Sequence, residues 1–237
     1  MKGFDRPLKP EWIYQIINLL EIGDIIYKKR DVLNEVLVEL DGKTGKRKVI
    51  TVVGRYFLKE VDNPNGKKVE DNLIFNLVKN NSYDEAKPLM LFNLLVKAPI
   101  LQYFSYQLYN FYGTKEKVDS DFLRDKAYQK IGERDIARRS LRNFLRTLAD
   151  FDILEIKDRT TFMWKERIKI DEECLINFFK LYSKYYLNSP QISLYELPEY
   201  LFFYFDTPDV LQVASKYNNT HWKYVRRVNA AIITMNK

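Results

Sequence analysis

The sequence predicts a mainly α-helical protein, and three observations lead there. The chain carries 17 Tyr and 15 Phe but only 8 Gly and 8 Pro in 237 residues, a balance that favours long helices over a turn-rich β protein. Apolar residues recur at helical spacing through most of its length. Residues 132–170, GERDIARRSLRNFLRTLADFDILEIKDRTTFMWKERIKI, read as one long arginine-bearing helix running into a short hairpin.

Pro10 stands where a first helical turn begins, followed by Trp12, Ile13, Ile16, Ile17, Leu19 and Leu20 at helical spacing, and Gly23 ends the helix. The run 31–40 places Val32, Leu33, Val36, Leu37 and Leu40 on one side, with Asp31 as N-cap. In residues 43–60, Val49, Ile50, Val52, Val53, Tyr56 and Phe57 fit a helical stripe, while the density of β-branched residues keeps a strand open. This segment holds Lys43, Lys46, Arg47, Lys48, Arg55 and Lys59 with no acid before Glu60. On a helix, Arg47, Thr51 and Arg55 share a face that suits a phosphate backbone or, equally, plain solvation. Residues 62–66, DNPNG, mark a loop.

Leu73, Ile74, Leu77 and Val78 resume the helical pattern, and residues 82–90 approach a buried helix with Pro88 near its start, which Pro99 kinks or restarts. The aromatic run Tyr103, Phe104, Tyr106, Tyr109, Phe111 and Tyr112 has no interleaved basic residue, so it predicts core rather than a base-stacking platform. The polar stretch 113–120 is the expected domain boundary.

Residues 121–130 form a preceding helix with Phe122, Leu123 and Ala127 inward, and Gly132 supplies the turn. In the next helix Ile136, Ala137, Leu141, Phe144, Leu145, Leu148 and Phe151 fall on one side. Arg134, Arg138, Arg142 and Arg146 follow at i, i+4, i+8 and i+12 as a ridge beside that stripe, with Arg139 next to it. A helix held by one face and offering guanidinium groups on another can enter a DNA groove. Residues 154–157 and 166–170 alternate apolar and charged around the polar tip 158–161, a hairpin whose Lys157, Arg159 and Lys165 would reach neighbouring phosphates or the minor groove. Helix, turn, helix and hairpin is the order of a winged helix-turn-helix.

Residues 171–187 form a further helix with Leu175, Phe178, Phe179, Tyr182 and one of Tyr185 and Tyr186 inward, stopped by Asn188-Ser189-Pro190. Residues 193–205 are compatible with helix, Thr207-Pro208-Asp209 starts another over 210–217, and 222–234 fit strand or helix. From Val210 onward there is no acid, while Lys216, Lys223, Arg226, Arg227 and Lys237 are basic. The expected organisation is a helical bundle over 1–115, a winged helix-turn-helix over 116–170, and a C-terminal helical extension over 171–237 packed on both.

Lys and Arg outnumber Asp and Glu by 39 to 32, a net +7 that favours an anionic partner. A single cysteine, Cys174, excludes a disulfide within the chain and a thiolate zinc cluster, and points to a reducing compartment. The only histidine, His221, sits in a polar Asn218-Asn219-Thr220 context without a nucleophile signature. There is no HExxH, Walker loop, GxGxxG or paired CxxC, so no catalytic residue, metal or cofactor is expected. Asp152, Glu155 and Lys157 resemble a D…ExK nuclease pattern, but compressed: the acid and the ExK stand closer together than such sites place them. The start, MKGFDRPLKPEW, has no apolar run for a signal peptide, and no window reaches 18 apolar residues, so a soluble cytoplasmic protein without a membrane partner is expected.

The order of a basic segment (KRKVITVVGRYFLK), a buried pair (AKPLMLFNLLVKAPILQYFSYQLYNFY) and the helix RRSLRNFLRTLADFDIL resembles BrxA, the small protein of BREX bacteriophage-exclusion systems. The resemblance covers residues 10–170 and rests on hydrophobic rhythm and basic positions. It implies a winged-helix, non-enzymatic DNA-binding component of a prokaryotic phage-defence system, with other subunits as further partners. Arg47, Arg55, Arg138, Arg139, Arg142 and Arg146 carry over as candidate DNA contacts. The rival expectation is an interaction scaffold whose winged helix docks a protein.

Overall fold

The computed structural model describes residues 3–60, 67–113, 117–132 and 135–236. Arg134, the loop signal at 62–66 and Lys237 lie outside the described residues. Among those described, the chain is mainly helical with three small sheets.

Helix α1 (Pro10–Asn18) starts at Pro10, whose missing N–H costs nothing at a first helical position, and buries Trp12, Ile13, Ile16 and Ile17. Leu19, expected inward, falls past its end and is exposed. A 3-10 turn (Ile26–Lys29) leads into α2 (Arg30–Val36), shorter than the run expected over 31–40. Asp31 occupies its first turn rather than capping it, and Val32 faces solvent. Residues 43–60 resolve as a helix, α3 (Lys43–Phe57), with all six residues of the apolar stripe buried.

Asn72 caps α4 (Leu73–Asn80), and a reciprocal Ser82–Glu85 capping box starts α5 (Tyr83–Lys97). Every side chain from residue 88 to 96 of α5 is buried, because α1, α3, α4 and α9 (Glu172–Leu181) surround it. Phe92 stacks on Phe178 of α9 with ring centroids 4.0 Å apart. Pro99 restarts the chain as α6 (Pro99–Phe111). Of the aromatic run expected in the core, Phe104 is buried and Tyr103, Tyr109 and Tyr112 pack against it, while Tyr106 and Phe111 remain exposed.

A three-residue strand that the sequence did not signal, β1 (Lys117–Asp119), precedes α7 (Ser120–Ile131), and Asp119 caps that helix. Gly132 then turns the chain at φ 86° and ψ 160°, a conformation that side chains disfavour. Helix α8 (Asp135–Asp150) follows. It closes in a Schellman arrangement, Asp152 N–H to the Ala149 carbonyl at 3.0 Å and Ile153 N–H to Leu148 at 2.9 Å, with Asp152 at φ 65°.

The hairpin exists but its return strand is not the expected one. Strand β2 (Leu154–Ile156) pairs antiparallel with β3 (Thr161–Trp164), and β1 adds to the other side of β3, giving the order β1-β3-β2. The Asp158 carboxylate accepts from the N–H groups of Thr160 and Thr161 at 2.8 and 2.9 Å, which closes the turn sooner than a tip at 158–161 allows. Ile168 and Lys169, assigned to the hairpin on their alternation, instead form β4 (Ile168–Lys169), parallel to β6 (Phe205–Asp206).

The helical extension expected over 171–237 is corrected more strongly. Helix α9, capped by Asp171, runs into a π-helical turn (Tyr182–Leu187) that ends at Asn188 with φ 50°. Beyond it lies a sheet of β5 (Gln191–Ser193), β7 (Trp222–Arg227) and β8 (Ala230–Met235) in the order β5-β8-β7. Short helices α10 (Glu199–Phe202) and α11 (Val210–Lys216) lie between them, the latter capped by Asp209 as its signal predicts. Burial of Ile192, Trp222, Ala231 and Ile233 at alternate positions is what selects strand here.

The buried side chains form one contiguous cluster from Phe4 to Ile233, so residues 116–170 share their core with both flanks. Among the described residues, no helix is long and apolar enough to cross a membrane.

Candidate nucleic-acid interface

Helix α8 has three longitudinal stripes. Ala137, Leu141, Phe144, Leu145 and Leu148 are buried toward the core, where Phe144 faces Phe104 of α6 at 6.2 Å between centroids. A second stripe, Ser140, Asn143 and Thr147, is polar and also buried. It grips the backbone of the N-terminal segment. Phe4 N–H donates to Ser140 Oγ at 2.8 Å, Asn143 Nδ2 donates to the Phe4 carbonyl at 2.8 Å, and Leu8 N–H donates to Thr147 Oγ1 at 2.9 Å. Phe4 and Leu8 insert fully into the core on either side of these bonds. Residues 3–9 are therefore a strap along α8. A Cβ on Gly3 would stand 2.4 Å from Ile136 Cγ1, so that position needs glycine for close approach.

With two stripes covered, the third is the face left to solvent, and it carries Arg138, Arg139, Arg142 and Arg146, all exposed. Arg138 and Arg139 meet the Asp135 carboxylate at 3.1 and 3.9 Å, in exposed pairs of the kind that contribute little. Arg142 and Arg146 form no ion pair among the described residues.

The arginine face borders a cleft of about 270 Å³ between α8, the start of α7 and the β2–β3 turn. Arg138, Arg139 and Arg142 line one wall, Arg159 and Thr160 of the turn another, and Arg124 with Asp121 the third. Arg124 is bound to Asp121 at 2.6 Å and to Asp125 at 3.1 Å. Sequence reasoning did not single out Arg124 or the strap stripe. The signal for the stripe was present, since Ser140, Asn143 and Thr147 are the polar residues spaced i, i+3, i+7 beside the apolar side.

The other expected contacts divide. Lys157 stays at the turn, paired with Glu155 at 2.7 Å, and Arg159 is exposed there. Lys165 belongs to the opposite end of the hairpin: its N–H bonds the Ile153 carbonyl, and its ammonium meets Asp152, which also binds Lys87 at 2.6 Å. Arg47 of α3 is exposed. Arg55 is turned inward, donating to the Gly3 carbonyl at 3.1 Å with Asp5 at 3.9 Å, so it secures the strap. The carboxylates of the nuclease-like triplet are both engaged by lysines, Asp152 by Lys87 and Lys165, Glu155 by Lys157. Among the described residues no group of His, Cys, Asp and Glu is arranged to hold a metal ion.

Asp150, one turn beyond Arg146, has its carboxyl pushed up to about 6 by burial, against the opposing pull of Lys9 and Arg146. The folded value lies above the unfolded one of 3.8, so the native state holds this proton more tightly and stability falls as pH rises between the two. Asp150→Asn is expected to stabilise the protein at pH 8 by roughly 1 kcal/mol after discounting for solvent screening, with no gain at pH 4. Urea midpoints at the two pH values check this; an equal effect at both would show that ionisation of Asp150 is not the cause.

No protein-family model matches this chain, and comparison with curated proteins and with solved structures gives no match.

Proposed function

We propose that this chain is a non-enzymatic double-stranded DNA-binding protein in which residues 99–164 work as a winged helix-turn-helix. The observation that carries the reading is the exposed arginine face of α8, held rigid on its two other sides and facing Arg159 of the β2–β3 turn across one cleft. The succession α6, β1, α7, α8 and the β2–β3 hairpin, with sheet order β1-β3-β2, supports a winged arrangement. In this mechanism Arg138, Arg142 and Arg146 lie in or along the major groove, and Arg139 stands beside them on backbone phosphates. Lys157 and Arg159 reach the adjoining strand, and Arg47 adds a distant phosphate contact. Arg55 and Lys165 serve the fold and the hairpin base instead. The resemblance to BrxA supports a role in a prokaryotic phage-defence system, alongside other subunits of a defence complex.

The test is a fluorescence-anisotropy titration of a duplex of about 30 base pairs across salt concentrations, where log affinity should fall against log salt by about 0.9 per phosphate contact. Plasmid incubated with excess protein and Mg²⁺ should remain intact. Absence of duplex binding at low salt would overturn the reading and leave the arginine face to an acidic protein partner.

A further inference from the structure

We propose that the β7–β8 hairpin is a second DNA contact, a basic ribbon whose tip enters the minor groove of the duplex with Val228 as an apolar wedge. It rests on the DNA-binding reading above but on different residues.

Arg227 pairs directly with Ala230, so the tip is the two residues Val228 and Asn229. Val228 is 96% exposed, more than any other large hydrophobic side chain among the described residues. An apolar tip flanked by the Arg227 guanidinium and the Asn229 amide has the chemistry of minor-groove insertion. Strand β7 is one of the two outer strands of its sheet, and Lys223, Val225, Arg226 and Arg227 along it are all exposed. Lys223, Arg226 and Arg227 form no ion pair among the described residues, and no acid occurs from Val210 to the end of the chain. The base is rigid. Trp222 is fully buried and donates its indole N–H to the Ala214 carbonyl at 2.8 Å. A projecting ribbon with a fixed base, uncompensated positive charge and an apolar tip fits a polyanion with a narrow groove between its phosphate rows.

Three full-length variants on an end-labelled duplex of about 20 base pairs, short enough that a kink changes the end-to-end distance, test this by anisotropy across salt and by energy transfer. Arg226→Ala with Arg227→Ala should lower the salt slope by about 1.8, the amount two phosphate contacts supply. Val228→Ser should leave the slope unchanged while the bound duplex straightens, because a wedge acts on base stacking and not on counterions. Arg138→Ala with Arg142→Ala is the comparison. If it weakens binding while both hairpin variants match the parent in slope and in end-to-end distance, the hairpin proposal fails alone. If the hairpin variants lose binding and the α8 variant does not, the α8 reading fails and the hairpin stands. If the parent ignores the duplex but binds vesicles of anionic phospholipid through Arg226 and Arg227, both fail. The substituted side chains are exposed, so unchanged thermal midpoints are the fold control.

Discussion

Replacing Arg138 and Arg142 together by alanine is expected to weaken duplex binding by about 3 kcal/mol, roughly 100-fold, and to flatten the salt slope by about 1.8. The size follows from removing two charge-assisted hydrogen bonds to phosphate at once. Both guanidinium groups line the cleft that Arg159 closes from the other side. Arg138 must leave Asp135 at 3.1 Å to reach a phosphate, but that pair is exposed and its loss costs little. Neither side chain supports the core, so the variant should unfold at the parent's temperature. The two readouts separate roles: a slope reduced by one unit with the full affinity loss would mean that one of the arginines reads a base edge and the other a phosphate. An unchanged slope and affinity would remove α8 from the interface.

The second large effect concerns the strap. Ser140→Ala, Asn143→Ala and Thr147→Ala combined should lower stability by about 3–6 kcal/mol, since three buried backbone groups of Phe4 and Leu8 lose their partners at about 1–2 kcal/mol each. For a chain of this size that corresponds to a fall of roughly 10–20 °C in Tm. Thermolysin should then cut near Phe4 and Leu8, side chains that are fully buried in the parent. Thr147→Ser, which keeps the acceptor, should stay close to the parent. An unaltered Tm in the triple variant would mean that the strap contributes nothing to holding α8. The connection to function is mechanical. Arg55 of α3 also binds the strap through Gly3, so one segment fixes both basic helices relative to the core.

How much of this was legible in the sequence depends on the range of the interactions. Helix α8 was readable because its apolar side and its arginines both repeat within a few residues, and local periodicity needs no partner to be seen. The helix start after Asp209 and the restart at Pro99 were readable from local signals, whereas the start of α5 was not: the expectation put Pro88 near its first turn, but the Ser82–Glu85 capping box starts it at Tyr83 and leaves Pro88 inside the helix. Strand β3 was not. Thr161-Phe162-Met163-Trp164 shows little apolar–polar alternation, and only Phe162 of the four is buried, so its pattern does not mark a strand before its neighbours β1 and β2 are known. Residues 166–170 do alternate, but alternation does not name the neighbour, and Ile168 finds Phe205, 37 positions away, instead of the segment 154–157. The C-terminal sheet failed likewise: β5 and β8 are joined across two helices, and a run such as Ala230–Met235 is compatible with either period until its partner is known. The strap was invisible because its partners, 136 and 139 positions apart, bond through backbone groups that every residue carries.

Among the candidate site residues, periodicity placed Arg138, Arg139, Arg142 and Arg146 on one exposed face, as the structure has them. It could not reveal that Arg55 is consumed by the strap or that Lys165 sits away from the turn, because each depends on a contact from a distant element. Arg134 lies outside the described residues.

A photocrosslink reads out whether the arginine face of α8 rests on the duplex. Asp135→Cys, carrying an aryl azide in a Cys174→Ser background, puts the probe on that face without removing an arginine, since Asp135 is exposed beside Arg138 and Arg139. Adducts with duplex DNA that compete away with salt are expected, while the same probe at Glu21, which is exposed after α1 and paired with Lys79 of α4, should give none. A strong adduct from position 21 and none from position 135, under conditions where the duplex binds, would overturn that contact.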